Sequence, residues 1–450
     1  MENNRDFDLI IWGATGFTGD LVCEYINNNY QYNELKWAIG GRNQNKLLKL
    51  QKKLKIDDSR IIIADSSDKE SLIKMAKRSK VICTTVGPYA KYGTYLVEAC
   101  VEAKTNYCDI TGETQWIRRI IDKHHSTAKE KHIKIVNSCG FDSVPSDMGV
   151  YYSQKKVFEK TGKYAQMINM RVAGAKGGIS GGTYNSLSNV LEEARVDKDV
   201  RKTLANPYGL NPEGKQFGPD KPDLRKVIFD KVSNSWIAPF VMAGINTKIV
   251  RRSHALMDFI YGSDFSYDEA TISGKGISGK IKGYVSLIPI FLATRKKGSL
   301  LKNIVDFILP KSGEGPSEKT RINGYYNLRF YLTTDDTTYV SKVIGDMDPG
   351  YGSTSKMLAE SAVCLALDET PEIYGVLTPS TALGDPLKKR LEEKAVPGLL
   401  HHWTFGDFRL DWRTSTSLLH RWALHHSGSS PDLSCSLEDS ECRRDLLAFV

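Results

Sequence analysis

The residues whose spacing most clearly suits chemistry form a glycine-rich turn near the N-terminus. An apolar run over residues 9–12 ends at Gly13, and glycines recur at Gly16 and Gly19 before a helix-like pattern begins. Gly13 can adopt backbone angles that a side chain forbids, Gly16 leaves room for a phosphate, and Gly19 lets the helix pack close to the strand. Such a helix directs free N–H groups and the positive end of its dipole at a pyrophosphate. The turn therefore predicts a dinucleotide site, with an ordinary glycine-rich turn as the alternative. Its predicted contacts are Gly13, Thr15, Gly16, Phe17, Thr18 and Gly19.

The second strand-like segment, Lys36–Ile39, leads to a residue that could select the cofactor. An NAD site usually has an acidic residue about 20 positions past the glycines, which binds the ribose 2′-hydroxyl. Here the strand is followed by Gly40, Gly41 and Arg42, and no carboxylate occurs from residue 35 to residue 47. A carboxylate would repel a 2′-phosphate, whereas the Arg42 guanidinium can bind it with two hydrogen bonds. We therefore expect NADP(H), with a plain surface cation as the alternative for Arg42.

Two further loops follow predicted strands at the edge where open sheets bind ligands. Asp65 follows the strand Arg60–Ala64, and its carboxylate could accept from an adenine amino group or cap the next helix. The Gly87-Pro88 turn follows the strand Val81–Thr85 and could hold main chain against the nicotinamide ribose. That turn would place Tyr89 at the mouth of the cleft, although an ordinary turn would have the same sequence features.

Strand-like and helix-like segments alternate from Phe7 onward. Such alternation predicts an α/β fold with a doubly wound, Rossmann-type parallel sheet covered on both faces. Besides the segments already given, the predicted helices span 43–54, 69–77, 92–103 and 113–132, and the predicted strands span 106–109 and 133–137. The stretch 138–147, dense in small, hydroxyl and acidic residues, marks the exit from this domain. Within it, Asp142 and Asp147 are either paired acids in the cleft or caps for a helix that begins near Met148.

Several of these stretches together resemble the saccharopine dehydrogenase-like oxidoreductases, a group that includes the trans-acting enoyl reductases of lipid assembly. The resemblance covers about residues 5–395. It rests on the glycine turn, Gly-Gly-Arg at 40–42, Val-Gly-Pro-Tyr at 86–89, Asp-Ile-Thr-Gly-Glu at 109–113, Gly-Phe-Asp-Ser-Val-Pro-Ser-Asp at 140–147, and further motifs at 181–183, 309–317, 348–354, 375–380 and 382–387.

The resemblance implies a domain order as well as a fold. It implies an NADP-binding Rossmann domain over 1–150 and an inserted α+β domain over 151–345 for substrate binding and dimerisation. Alternating residues at Met167–Ala173 and Gly324–Thr333 fit strands of that second domain. A C-terminal helix within 346–395 would then pack back on the first domain.

The activity that the resemblance implies is NADPH-dependent reduction of a lipid-like unsaturated acyl or carbonyl substrate. Reducing a conjugated C=C bond needs a hydride at one carbon and a proton at its neighbour, so a hydroxyl or an acid must reach the cleft. Tyr89, Ser143 and Asp142 are the candidates, in that order. None of them forms the Tyr-x-x-x-Lys pair of the short-chain dehydrogenases.

Two other functions fit the same sequence. One is a non-catalytic, nucleotide-binding adaptor at lipid surfaces, because fold does not fix function. The other is an imine or amino-acid reductase, which would need arginines for substrate carboxylates. Arg171, Arg251 and Arg252 are available for that role.

Two apolar runs, 284–293 and 300–309, flank the basic residues 295–297, and each is too short to span a bilayer. A helix over the second run would place four apolar side chains on one face, namely Leu301, Ile304, Val305 and Ile308. With basic residues beside it, such a face suits peripheral contact with an anionic membrane or a lipid droplet. A core helix with solvated lysines is the alternative.

Composition bounds the remaining expectations. The net charge of +9 over 450 residues suits anionic small molecules or lipid, and its even spread gives no argument for nucleic acid. The first six residues are no signal peptide, so a reducing, cytosol-facing location is expected.

After Lys394 there is no Lys, Asn, Ile or Tyr, which suggests an adventitious or disordered tail over 396–450. Its histidines have no carboxylate or thiol at a ligand spacing, so no metal is expected.

Overall fold

The computed structural model describes residues 5–177, 181–293, 315–335, 337–394 and 409–410. The first part of the chain alternates strands and helices as the sequence predicts. The strands are β1 (Phe7–Trp12), β2 (Trp37–Gly41), β3 (Ile61–Ile63), β4 (Ser79–Thr84), β5 (Asn106–Asp109) and β6 (Lys134–Val136). The helices are α1 (Phe17–Asn29), α2 (Gln44–Leu54), α3 (Lys69–Ala76), α4 (Tyr89–Tyr92), α5 (Thr94–Ala103) and α6 (Thr114–Glu130), with a 3₁₀ turn at Asp58–Arg60.

The second part of the chain forms another sheet with its own helices. Its elements begin with α7 (Val144–Thr161), β7 (Met167–Lys176), α8 (Gly181–Val196), α9 (Lys198–Ala205), β8 (Ile228–Asp230), β9 (Ser235–Pro239) and α10 (Ala243–Leu256). They continue with β10 (Ser266–Gly274), α11 (Gly276–Ala293), α12 (Glu318–Ile322), β11 (Tyr325–Thr333) and β12 (Thr338–Gly345). A π-helical turn (Pro349–Ser353), α13 (Thr354–Leu367), β13 (Gly375–Leu377), α14 (Pro379–Glu393) and the two-residue strand β14 (Arg409–Leu410) follow.

The first sheet is parallel throughout and has the strand order β13-β6-β5-β4-β1-β2-β3. Strand β1 pairs with β2 on one side and with β4 on the other, so the winding direction reverses at β1. In a doubly wound sheet this reversal opens a crevice at the carboxyl ends of the strands, where ligands bind. The predicted Rossmann-type fold is confirmed.

Both faces of the first sheet are covered, as alternation along β1 illustrates. Leu9 and Ile11 belong to a buried cluster with α1 and α13, whereas Ile10 and Trp12 belong to a cluster with α3, α5 and α6. Successive side chains of a strand point to opposite faces, so one strand supplies two cores. The chain is therefore a layered α/β structure with the loops of the crevice left at the edge.

The second sheet has the order β12-β11-β7-β10-β9-β8 over the strands from residue 167 to residue 345. The pairing of β7 with β10 is parallel, and the other pairs are antiparallel. Its apolar residues Ile168, Met170 and Phe330 belong to the same buried cluster as Leu9 of the first sheet. A Cβ on Gly149 of α7 would lie 2.4 Å from the Phe330 ring, so α7 can approach β11 this closely only with glycine there.

The C-terminal region differs from the single returning helix that the resemblance implies. It contains the two helices α13 and α14 and the strand β13, which adds a seventh strand to the first sheet. Strand β13 has only three residues, which is too few for a strand to be predicted from hydrophobic periodicity. The predicted helix over 300–309 lies outside the described residues, as does the tail over 396–450 apart from β14. No helix in the described ranges is long and apolar enough to cross a membrane.

A buried charge cluster fixes the returning helices against α1. The carboxylate of Glu360 is fully buried and accepts hydrogen bonds from the Tyr25 and Tyr30 hydroxyls, each at 2.7 Å. Arg390 of α14 lies 3.7 Å from Glu360 and donates to both carboxylate oxygens of Asp368 at 2.5 and 2.6 Å. The guanidinium thus offsets the desolvation of Glu360 and ties α14 to α13.

We predict that Arg390→Met lowers the free energy of unfolding by about 3 kcal/mol, because it leaves the Glu360 charge buried without its cation. The matched control is Lys389→Met, which removes an exposed 3.8 Å pair with Glu393 and should cost less than about 0.5 kcal/mol. Chemical denaturation of the two variants measures the difference. Equal losses would show that the Arg390 cluster contributes no more than a surface pair.

Candidate functional site

The glycine turn lies at the reversal of the first sheet, between β1 and α1. Gly13 has φ +84°, and a Cβ there would lie 2.6 Å from Val86 Cγ2 in the loop after β4. A Cβ on Gly19 would lie 2.2 Å from the Gly13 carbonyl oxygen, so the helix can pack this closely only without a side chain. These two glycines are required by the protein's own packing.

Gly16 is different, because its backbone angles are open to any residue. Its backbone is extended (φ −79°, ψ 162°), it is exposed, and a Cβ would meet only the Gly13 carbonyl oxygen at 3.3 Å. Thr15 beside it is exposed too, and no side chain caps the first turn of α1. An uncovered helix N-terminus over a turn without side-chain bulk fits a pyrophosphate.

Phe17 and Thr18 begin the helix and are partly buried. The Phe17 ring packs edge-to-face on Tyr351, with centroids 4.7 Å apart, and the Arg321 guanidinium lies 5.5 Å from its centroid. Phe17 therefore joins the glycine turn to the region after β12. Its predicted role as a cofactor contact would fall to its backbone, since the ring is used in this packing.

Arg42 and Asp65 stand at the ends of the neighbouring strands β2 and β3. Arg42 is exposed, and the first turn of α2 that follows it contains no acidic residue. The Asp65 carboxylate accepts from the Ser67 backbone N–H (2.8 Å) and hydroxyl (2.6 Å), and these bonds, with a smaller contribution from Arg42, lower the pKa of Asp65. Asp68, not Asp65, caps α3. This edge can hold a phosphate at Arg42, with Asp65 beside it.

The loop after β4 places Gly87 at the surface of the crevice, while Tyr89 is buried. Only 4% of Tyr89 is exposed, its hydroxyl donates to the Thr84 carbonyl at 3.2 Å, and its ring packs on Trp116 with centroids 5.5 Å apart. Burial raises the pKa of Tyr89 well above its usual value. The expectation that Tyr89 lies at the mouth of the cleft is wrong, because Trp116 of α6 covers it. Gly87 and Pro88, joined by a cis peptide, remain at the loop surface.

Two buried carboxylates of the 109–113 motif organise the loops beside the crevice. Asp109 accepts from the Thr111 and Ser138 N–H groups (both 3.0 Å), the Asn137 amide (2.8 Å) and the Tyr107 hydroxyl (2.9 Å). Burial outweighs these bonds and raises the pKa of Asp109 to about 6. Asp109 thereby joins the loops that follow β5 and β6.

Glu113 joins the loop after β4 to the second part of the chain. Its carboxylate accepts from the Tyr89 and Ala90 N–H groups, at 2.7 and 3.0 Å, and from the Ser186 hydroxyl of α8 at 2.9 Å. Burial raises the pKa of Glu113. In the sequence, the only signal for this role of Glu113 is its place in the 109–113 motif, directly after a strand and a Thr-Gly pair.

Asp142 and Asp147 are not paired. Asp147 is buried and accepts from the Ser253 hydroxyl (2.5 Å) and the Ser380 N–H (2.7 Å), so it ties α7 to α10 and α14. Asp142 is partly exposed, and no hydrogen bond or ion pair joins its carboxylate to another described residue. A Cβ on Gly112 would lie 3.7 Å from Asp142 Oδ2, which places this carboxyl beside the loop after β5. Burial raises its pKa to about 7.

Ser143 is buried at the start of α7 and belongs to a polar chain that reaches the second sheet. Its hydroxyl donates to the Asn246 side-chain oxygen at 3.2 Å, and the Asn246 amide donates to Glu269 at 3.0 Å. The Tyr267 hydroxyl also donates to Glu269, at 2.7 Å, and burial raises the pKa of Glu269 to about 7. The hydroxyl proton of Ser143 is thus engaged in the hydrogen bond to Asn246.

The arginines considered for substrate carboxylates are used elsewhere. Arg171 pairs with Asp230 (3.0 Å) and Asp268 (2.7 Å), and Arg251 pairs with Asp220 (2.8 Å). Arg252 donates to the carbonyls of Leu210 and Val376 at 2.5 and 2.6 Å. All three are buried, so they do not supply the cluster that an amino-acid substrate would need.

The chain is similar to known proteins in sequence. A family model for the NADP binding domain of saccharopine dehydrogenase matches residues 9–136. A Mycobacterium tuberculosis protein (strain ATCC 25618 / H37Rv), provisionally named a trans-acting enoyl reductase, is 39% identical over 407 residues, which span 87% of this chain and 97% of that protein. The trans-acting enoyl reductase of Mycobacterium leprae (strain TN) is 34% identical over 411 residues, spanning 88% and 97%. Among solved structures, saccharopine dehydrogenase (L-Glu forming) from Saccharomyces cerevisiae is 12% identical with a TM-score of 0.49, over 86% of this chain and 97% of that one.

Arg42→Ala should weaken NADPH binding roughly 10- to 150-fold, because one charge-assisted contact to the 2′-phosphate contributes about 1.5–3 kcal/mol. NADH, which lacks that phosphate, should bind as before. Lys52→Ala, at the far end of α2, is the matched control and should change neither affinity. Titration of both cofactors by calorimetry checks this, and equal losses for NADPH and NADH would mean that Arg42 is structural.

Gly16→Val should fold normally and lose binding of both cofactors by at least about 100-fold, because a branched side chain occupies the pyrophosphate's path. Its melting temperature should fall only slightly, since a Cβ at Gly16 would meet a single protein atom, the Gly13 carbonyl oxygen, at 3.3 Å. Thermal melting with and without NADPH measures both quantities. A folded variant that still binds NADPH tightly would show that the pyrophosphate lies elsewhere.

Proposed function

The chain belongs to the saccharopine dehydrogenase-like oxidoreductases, in the group of the trans-acting enoyl reductases, and we propose that it reduces the conjugated C=C bond of a lipid-like acyl substrate. The protein is an NADP-dependent oxidoreductase. The sequence identity to enoyl reductases along nearly their whole length supports the substrate class. The arginines buried in internal contacts favour this substrate over an amino acid.

NADP(H) is the cofactor, and the residues of the crevice fit it. The glycine turn and the uncapped start of α1 would hold the pyrophosphate, and Arg42 would bind the 2′-phosphate. The loop at Gly87-Pro88 would support the nicotinamide ribose, with Asp65 toward the adenine. When bound, NADPH supplies the hydride for one carbon of the double bond.

We assign the role of proton donor to Asp142. The observation that supports this assignment is the state of its carboxyl group. Its carboxyl stands free of partners among the described residues, beside the loop after β5, with a pKa of about 7. A group that is partly protonated near neutral pH can give its proton to the carbon next to the site of hydride addition. Tyr89 is excluded by burial from this role, and the Ser143 proton is held by Asn246.

Ser143 would instead position Asp142, because the two residues are adjacent and Ser143 is fixed through Asn246 to the second sheet. The hydrogen bonds from Ser143 through Asn246 to Glu269 fix the start of α7 relative to β10. The Ser143 hydroxyl oxygen can still accept a hydrogen bond, since a hydroxyl has two acceptor lone pairs.

The lipid character of the substrate suggests that the enzyme works beside a lipid surface, on the cytosol-facing side. We propose peripheral contact with an anionic membrane or a lipid droplet. The net charge of +9 supports this contact. A homodimer built on the second sheet is a further proposal, which follows from the family resemblance.

Asp142→Asn should lower the turnover of an enoyl substrate by about 10²- to 10⁴-fold, because the amide cannot give up a proton. NADPH affinity should not change, since Asp142 holds no phosphate. In the unchanged protein, turnover should fall as the pH rises through about 7, where Asp142 loses its proton. Measured kcat–pH profiles check this.

Ser143→Ala is the control for that experiment. It should reduce turnover by less than about tenfold and keep the same loss at high pH, because Asp142 is still present. Full activity of Asp142→Asn with an unchanged pH profile would contradict the assignment.

A further inference from the structure

Helix α11 has its large apolar side chains on the outside. Ile277, Ile281, Tyr284, Val285 and Ile288 are 79%, 58%, 53%, 57% and 54% exposed. Four of them follow the spacing i, i+4, i+7 and i+11, which places them on one stripe of a helix. In a surface helix of a globular protein, such a stripe normally faces the core.

The opposite face of α11 packs inward through glycines. A Cβ on Gly279 would lie 2.3 Å from the Gly274 carbonyl carbon, and a Cβ on Gly283 would lie 2.8 Å from Val227 Cγ1. Both glycines are buried against β9, β10 and their flanking segments. The helix therefore cannot turn its apolar stripe inward, because only side chains without bulk fit on the packed face.

Lysines stand on both sides of the apolar stripe. At about 100° per residue, Lys280 lies on one side and Lys282 lies on the other, and Lys275 directly precedes the helix. None of the three forms an ion pair with another described residue, and Lys280 Nζ lies 5.0 Å from the centroid of the Trp236 ring. In the sequence, residues 283–294 carry no charge, and Arg295, Lys296 and Lys297 follow.

We propose that this apolar stripe of α11 is the surface that docks the enzyme on an anionic lipid surface. An outward apolar stripe bordered by lysines matches a helix that lies in the headgroup boundary. A second copy of the chain is a poorer occupant, because pairing two such stripes brings like charges together. The proposal deepens the proposed function, and it rests on that function only in linking docking to substrate supply.

The test uses the full chain with NADPH and vesicles of phosphatidylcholine with 30% phosphatidylserine. Ile281→Ser/Ile288→Ser should weaken vesicle binding about 100-fold, at about tenfold for each isoleucine removed from the boundary. Ile322→Ser, which alters a 56% exposed isoleucine on α12, is the matched control and should bind as the unchanged protein does. Lys280→Gln/Lys282→Gln should weaken binding roughly 10- to 30-fold and reduce its salt dependence.

Three results would overturn the proposal. One is an unchanged protein that ignores these vesicles at low salt. Another is a dimer that the double isoleucine variant dissociates, which would mean that a second copy covers α11. The third is a marked drop in the melting temperature of that variant alone, which would mean that the chain itself covers the stripe.

The reaction is measured separately on a short, water-soluble enoyl thioester. Turnover of that substrate should persist in the double isoleucine variant, whereas turnover of vesicle-borne substrate should fall with binding. Vesicle binding without any turnover would contradict the proposed function and leave the docking surface standing.

Discussion

The crevice depends on two buried carboxylates that accept hydrogen bonds instead of pairing with cations. Asp109 holds the loops after β5 and β6, and Glu113 holds the loop after β4 together with Ser186 of α8. Burying a carboxylate is costly, and its raised pKa of about 6 shows that the hydrogen bonds to Asp109 offset this cost only in part. The two carboxylates are placed here because backbone N–H groups at strand ends need strong hydrogen-bond acceptors when water is excluded. Three loops thus take one fixed arrangement around the place where the nicotinamide would lie.

Buried polar contacts also join the two sheets. The hydrogen bonds of Asp147, and those from Ser143 through Asn246 to Glu269, connect the segment after β6 to α10, α14 and β10. Around these anchors, Asp142 is left as a partly exposed acid without a described partner. Asp147 is thus held by packing contacts, whereas the Asp142 carboxylate has no described partner, and for this reason we propose Asp142 as the proton donor.

How much of this could be predicted from sequence depended on the range of the interaction. The glycine turn, the lack of an acid near Arg42 and the alternation of strands and helices act locally, and the fold and cofactor followed from them. The buried position of Tyr89 did not follow from local features, because Trp116 from a later helix covers it. The roles of Asp142 and Asp147 could not be told apart, since the partners of Asp147, Ser253 and Ser380, lie more than 100 residues away in sequence. The outward stripe of α11 was also missed, because hydrophobic periodicity does not tell which face meets the core.

The most direct test of the central claim follows the hydride itself. The full chain is incubated in ordinary water with NADPH carrying deuterium at the transferable C4 position and with a long-chain enoyl thioester, and the product is read by mass spectrometry and NMR. The account predicts one deuterium on the β-carbon of a saturated product and one solvent-derived proton on the α-carbon. Tight NADPH binding with no deuterium in any enoyl product, or deuterium on a carbonyl carbon, would contradict it.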